Sequence, residues 1–250
     1  MFKRIFALVL LSIIALSMTA CGVQIQIGGG NMVRGSGNVT NETREVSDFN
    51  SVAITGSGDA TITMGDSESV VIEAEDNIIP LIETKILNGK LVIGMKPGTS
   101  ISTTRPIRYT ISAKNLNGVE TTGSVDISIA NPAKAESFSA STTGSGNIKL
   151  NELQAQTFNA RTTGSGDINV ANGKVESLTV TTSGSGDFIG TNLACGTVNA
   201  TTSGSGNITM WAKDSLTGRT SGSGDIKYYG QPSVSRTESG SGRLRSLGNK

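Results

Sequence analysis

The chain contains no histidine, and that one absence removes a large share of enzyme chemistry. A Ser-His-Asp triad, a Cys-His dyad and a His-ligated zinc site are all excluded. Its two cysteines, Cys21 and Cys195, cannot form a CxxC metal or redox motif. Proline is scarce at 5 residues and aromatics supply only 4%, so little is spent on large rigid side chains. Neither sign of charge dominates: a net charge of +1 leaves no electrostatic footprint for nucleic acid. Long hydrophobic runs are missing as well. Ile5 to Leu16 falls short of the roughly 20 apolar residues that a membrane-spanning helix needs. What is abundant is glycine, 32 residues of it, together with Ser and Thr, a composition of β-structure with many turns.

The first residues carry an address. Lys3 and Arg4 precede the short apolar run, and small residues Thr19 and Ala20 stand before Cys21. "MTAC" at 18–21 resembles a bacterial lipobox, with Met18 where Leu is more usual. The expectation is a signal peptide over 1–20, cleaved before a lipidated Cys21, rather than an ordinary cleavage near Ala20. A Gly-rich tether over 21–34 would then join the lipid to a domain outside the bilayer. Gly22 after the cysteine favours the outer membrane, and losing Lys3 and Arg4 takes the net charge from +1 to −1.

The glycines are periodic. Gly-Ser-Gly begins at Gly35, Gly56, Gly144, Gly164, Gly184, Gly204, Gly222 and Gly240, with a degenerate "GSVD" at Gly123. From Gly123 onward the spacing is 21, then 20 three times, then 18 twice. Around each copy the residues alternate. Phe138, Phe158, Leu178, Val198, Leu216 and Val234 stand six before the first glycine; Ile148, Ile168, Phe188, Ile208, Ile226 and Leu244 stand four after. Polar residues fall between them, the pattern of strands with one buried face. Hairpins in a meander would show the same alternation. Stacking each strand on its counterpart one repeat later also explains why every column keeps its size class. The predicted fold is therefore all-β, a parallel right-handed β-helix (β-solenoid) with coils of about 20 residues.

Regularity is uneven. Residues 35–115 predict an irregular N-terminal part in which "EDNIIPLIET" is a loop or short helical turn. The long gap from Gly56 to Gly123 leaves room for three coils that have lost the motif. Residues 116–235 predict the regular solenoid. Over 236–250, Arg236 and Ser246 fall at inward positions, which predicts a polar cap or tail.

The stretch "REVSDFNSVAITGSGDATITMGDSESVVIEAEDNIIPLIETKILNGKLVIG", followed by the "TTGSGD" ladder, resembles the putative auto-transporter adhesin head GIN domain family. The resemblance implies a β-helical fold and an envelope location, and it brings no agreed catalytic residues.

Candidate sites follow from the columns. Three after each first glycine stand Asp59, Asp126, Asn147, Asp167, Asp187, Asn207 and Asp225, then Arg243. A phosphate loop would need a helix after the glycines, and strand-like residues follow instead. Asp and Asn alternate freely, which suits a turn ladder of short acceptors better than a cation site. Calcium between Asp167 and Asp187 is the weaker metal reading. Asp167, Asp187 and Arg161 could also serve as acid, base and clamp of a polysaccharide lyase or hydrolase, but a smooth ladder speaks for scaffold. The pattern breaks at Trp211 and Tyr229, seven after successive glycines. These rings either cover the narrowing end of the core or, facing outward, form a ligand shelf. Thr142, Thr162, Thr182 and Thr202 read as stacked hydroxyls sharing hydrogen bonds, and Cys195 reads as a small buried residue.

The functional expectation is a non-enzymatic cell-envelope lipoprotein, held to the membrane through Cys21. Its β-helical surface would bind or adhere to a glycan or protein, with no cofactor and no nucleic acid. The alternatives are the polysaccharide-active enzyme and a purely structural envelope component.

Overall fold

The glycine copies lie on top of one another. In the computed structural model, which describes residues 32–250, Gly144 stands in parallel register between Gly123 and Gly164. Cys21, the expected signal peptide and all but the end of the expected tether lie outside the described residues.

Strands Ala133–Gly144, Leu153–Gly164 and Gly173–Thr182 stack in parallel along one face, continued by the later parts of Phe188–Thr202 and Ile208–Thr220. Ile148–Leu150, Ile168–Val170 and Ile226–Tyr229 carry the other side of each coil. Every pairing from Gly118 onward is parallel, and the result is a β-solenoid of about six coils of about 20 residues.

Stacking like on like fills the interior. Phe138, Phe158, Leu178, Val198 and Leu216 form one buried column. The Phe138 and Phe158 rings lie 6.0 Å apart at 60°, and Phe158 meets Phe188 at 6.2 Å, tilted contacts that aromatic quadrupoles favour. Phe188 replaces an isoleucine of its column, and Gly190 makes the room: a Cβ there would stand 3.0 Å from the Phe188 ring.

The threonine column differs from expectation. Thr142, Thr162, Thr182 and Thr202 are buried, and their hydroxyls donate to glycine carbonyls rather than to one another. Thr202 Oγ1 reaches Gly206 O at 2.8 Å, for instance. A hydroxyl inside an apolar core needs a partner, and the turn carbonyl is the acceptor within reach.

The long gap between glycine copies holds no run of three coils. Gly56 pairs directly with Gly123, and strand Ser51–Met64 runs in parallel register with Gly118–Ile129 from Ser51 to Ile62. The residues between them pass to the far edge of Ser51–Met64. There Lys90–Met95 and Arg108–Ala113 add one more parallel layer. Beyond it the direction reverses: Ile82–Leu87 pairs antiparallel with Lys90–Met95, Ser69–Glu75 with Arg108–Ala113, and Val39–Glu45 with Ser69–Glu75. A tight turn suffices for such a return. Asn88 and Gly89 supply it with φ of 51° and 73°, as a type I′ hairpin requires. "EDNIIPLIET" contains a short 3-10 helix, Ile79–Leu81. Gly35 leaves the glycine stack altogether; Gly35 packs against Glu75, and the adjoining strand Met32–Arg34 pairs with Ser100–Ser102.

At the other end Ser233–Glu238 still pairs with the coil below, yet all its residues are exposed, Val234 and Arg236 included. Leu244 closes the core instead. It occupies the space over Gly218, where a Cβ would stand 1.9 Å from its Cδ1. The Arg243 guanidinium donates to Gly240 O and Gly242 O at 2.8 and 2.9 Å, occupying two carbonyls at the open end of the stack.

Candidate functional site

Each turn is sealed by the turn beneath it. Ser165 N–H and Gly166 N–H both donate to Gly144 O, at 2.7 and 3.1 Å, and Ser185 and Gly186 do the same to Gly164 O. Adjacent N–H groups pointing at one spot form the concavity that binds anions in other proteins. Here the neighbouring coil's carbonyl fills it, which leaves a phosphate no donors. The same fit explains the glycines. A Cβ on Gly204 would stand 2.0 Å from Gly184 O, and one on Gly206 2.1 Å from Gly186 O.

The Asp/Asn column is a second ladder. Asn147 N–H donates to Asp126 Oδ1 at 2.8 Å, Asp167 N–H to Asn147 Oδ1 at 2.9 Å, and Asp187 N–H to Asp167 Oδ1 at 2.7 Å. Asn207, Asp225 and Arg243 continue it onto Asp187, Asn207 and Asp225 at 2.6, 3.1 and 2.9 Å. Each side chain therefore accepts from the backbone one coil on, not from its own turn. These backbone bonds use only Oδ1, and Asp and Asn both present it, so the two residue types interchange along the ladder. Asp59 stands differently: it pairs in register with Asp126 between two unbroken strands, and its own N–H goes to Ile107 O.

Asp167 and Asp187 thus lie one coil apart with Oδ1 of each already accepting. Among the described residues no three His, Cys, Asp or Glu side chains gather closely enough to hold a metal ion. Arg161 is exposed on strand Leu153–Gly164 and forms no ion pair with either aspartate.

Trp211 and Tyr229 come together. They are register partners on neighbouring coils. Met210 and Ala212, on either side of Trp211, are fully buried, so alternation turns the half-buried indole outward. Here the coil shortens. Between Gly190–Met210 and Ala194–Trp211 the register slips, and Thr191, Asn192 and Leu193 bulge from the longer coil. Lys250 lies in the resulting notch. Its ammonium stands 5.0 Å from the Tyr229 ring centre and 5.8 Å from that of Trp211, and it donates to Thr191 O and Asn192 Oδ1.

Other polar groups escape a reading by period. Glu75 is buried, 1% exposed, and accepts from Gly37 N–H at 2.8 Å, the Thr104 hydroxyl at 2.6 Å and Thr104 N–H at 3.0 Å. The Thr104 hydroxyl, more than any other partner, holds its carboxyl below the usual range against the opposing effect of burial. No sequence spacing links Gly37, Glu75 and Thr104. The Tyr109 hydroxyl is buried without a hydrogen-bond partner, and burial pushes its phenol up to about 12. Cys195 is fully buried with its Sγ 3.3 Å from Leu193 O; burial raises its thiol to about 12, which suppresses the reactive thiolate.

No curated protein matches the chain. Several solved structures do. A putative adhesin from Bacteroides fragilis superposes with a TM-score of 0.80 at 24% identity, covering 86% of this chain and 100% of the other. A putative adhesin from Parabacteroides distasonis gives 0.72 at 20% identity, over 87% and 100%. A putative lipid binding protein from the same species gives 0.70 at 22% identity, over 86% and 99%. At these identities the likeness is one of fold. The family model described as "Putative auto-transporter adhesin, head GIN domain" matches residues 48–232, and the chain belongs to that family.

Proposed function

We propose that this is a non-enzymatic protein of the cell envelope, tethered through a lipid on Cys21, whose solenoid presents the Trp211–Tyr229 shelf to a glycan or protein partner. The observation that carries the reading is the placement of two outward rings where the coils shorten and the register slips. Elsewhere along the regular coils, turn donors and ladder acceptors are engaged by neighbouring coils and offer little to a ligand. An aromatic pair beside a bulge offers apolar area together with carbonyl acceptors. Family membership and the adhesin names of the structural neighbours agree with a surface role. The lipid-binding name of one neighbour fits an envelope setting too.

The test is a pull-down of envelope glycans and proteins with the chain and its Trp211→Ala variant. Loss of capture with a retained β-sheet spectrum supports the shelf. Undiminished capture by the variant rejects it.

The polysaccharide-enzyme reading can be sought in a hollow away from the ladder. A broad open hollow of about 670 Å³ is lined by Glu45, Asp66, Glu68 and Lys114 among others, but Glu68 already accepts from Asp48 N–H at 3.0 Å. Turnover of an acidic glycan that is lost in Asp66→Asn would establish that reading; no turnover across a panel would remove it.

A further inference from the structure

Lys250 does more than fill space. Its ammonium meets two aromatic faces and two neutral oxygens, with both ring centres inside the roughly 6 Å over which a cation is drawn to a π-face. A sugar uses an aromatic shelf by stacking C–H faces on it. This notch adds a backbone carbonyl and an amide oxygen, both converging here on a point charge. Three N–H donors on an ammonium match such oxygens, and the bulge at residues 191–193 presents them.

We propose that the notch formed by Thr191, Asn192, Trp211 and Tyr229 is a primary-ammonium site. Its ligand is a lysine side chain of a partner protein, and Lys250 holds the site in cis until that partner displaces it. The proposal rests on the shelf being the binding surface and names the chemistry it selects. The strap is built for release. Leu247 N–H donates to Tyr228 O at 2.7 Å and Gly230 N–H to Gly248 O at 2.9 Å, so backbone pairing reaches Gly248. Lys250 itself is exposed and sits just beyond, held by its side chain. An intramolecular occupant on so short a strap competes at an effective concentration in the millimolar range, ~1 mM or above. A free amine would therefore bind the intact chain weakly and the unstrapped chain better.

The chain has a single tryptophan, so fluorescence excited selectively at tryptophan, clear of tyrosine absorption, reports on this notch. Full-length wild type and Lys250→Ala are titrated with Nα-acetyl-lysine amide and with the same compound acetylated on Nε. The expected result is a shifted resting Trp211 spectrum in Lys250→Ala and a saturable response to the free amine. The apparent affinity should be at least about fivefold tighter than in wild type, with no response to the acetylated form. Adding Tyr229→Ala to Lys250→Ala should weaken that response about fivefold or more, one face of the cage having gone. Equal spectra with no saturable response, or equal binding of the acetylated form, would overturn the ammonium site. Glycan capture that depends on Trp211 but ignores amines would keep the shelf and discard this inference. Capture undiminished in Trp211→Ala alongside a saturable amine response would do the reverse.

Discussion

The two halves of the domain solve the same problem with different grammar. From Gly118 onward each strand pairs in parallel with its counterpart one coil later, and identity of column replaces design of contact. From Met32 to Ala113 the chain leaves that order, inserts Ser51–Met64 beside a strand far along the sequence, and ends in antiparallel returns. In the later coils, then, the Gly-Ser-Gly glycines from Gly184 to Gly242 are demanded by what lies beneath them, while Gly144 and Gly164 also carry a positive φ. In the irregular half Gly56 and Gly98 have open space where a Cβ would stand and are demanded by the backbone angle alone, with φ of 128° and 75°.

Glycine replacement separates those causes and should give the largest effect. Gly204 lacks a left-handed φ, yet a Cβ would stand 2.0 Å from Gly184 O and 2.8 Å from its carbonyl carbon, a backbone that cannot swing away. Gly204→Ala is expected to cost ~3 kcal/mol or more by overpacking a stack rigid on both sides. Gly56 has φ of 128° and open space around its Cβ position, so Gly56→Ala should cost only its strain, ~1–3 kcal/mol. Urea unfolding midpoints measure both. Equal losses would mean that the stack does not impose glycine.

A smaller effect should distinguish ladder from cation site. Asp187→Ala removes the acceptor for Asn207 N–H and is expected to cost ~1–2 kcal/mol, whereas Asp187→Asn keeps Oδ1 and should cost less than ~0.5 kcal/mol. Calcium should leave the unfolding midpoints of wild type and Asp187→Asn alike. A calcium-dependent gain confined to wild type would restore the metal reading.

The gentlest change lies at the irregular end. The folded Glu75 carboxyl titrates below its ordinary 4.5, so its contribution is complete above that value and disappears as pH falls through the depressed one. Acidification below about 4.5 should therefore lower the protection of the Gly37 and Thr104 amides relative to their intrinsic exchange, while Glu75→Gln makes that protection insensitive to the same pH step. The ladder amides of Asp187 and Asn207 serve as the internal comparison, and equal loosening there would deny Glu75 a local role.

What could be read from the sequence follows the same division. The coil period, the inward columns and the parallel stacking were all carried by local repetition, because each residue's neighbours in space are its copies. The gap between Gly56 and Gly123 misled because counting coils assumes that the chain never turns back. Asn88-Gly89 is a hairpin signal that a search at the coil period passes over. Glu75 joined to Gly37 and Thr104, and Lys250 lying against Trp211, are single long-range contacts with no periodic trace. The rings themselves were visible as a break in the pattern; their cation was not.

In the regular half one Gly-Ser-Gly unit builds one coil. A crystal structure of the chain with residues 164–183 duplicated tests it directly. One added layer is expected at a spacing of ~4.8 Å, with the inserted glycine stacked on Gly164 and the Trp211 notch unchanged. A duplicated segment looped out of the stack, or loss of the fold, would contradict it.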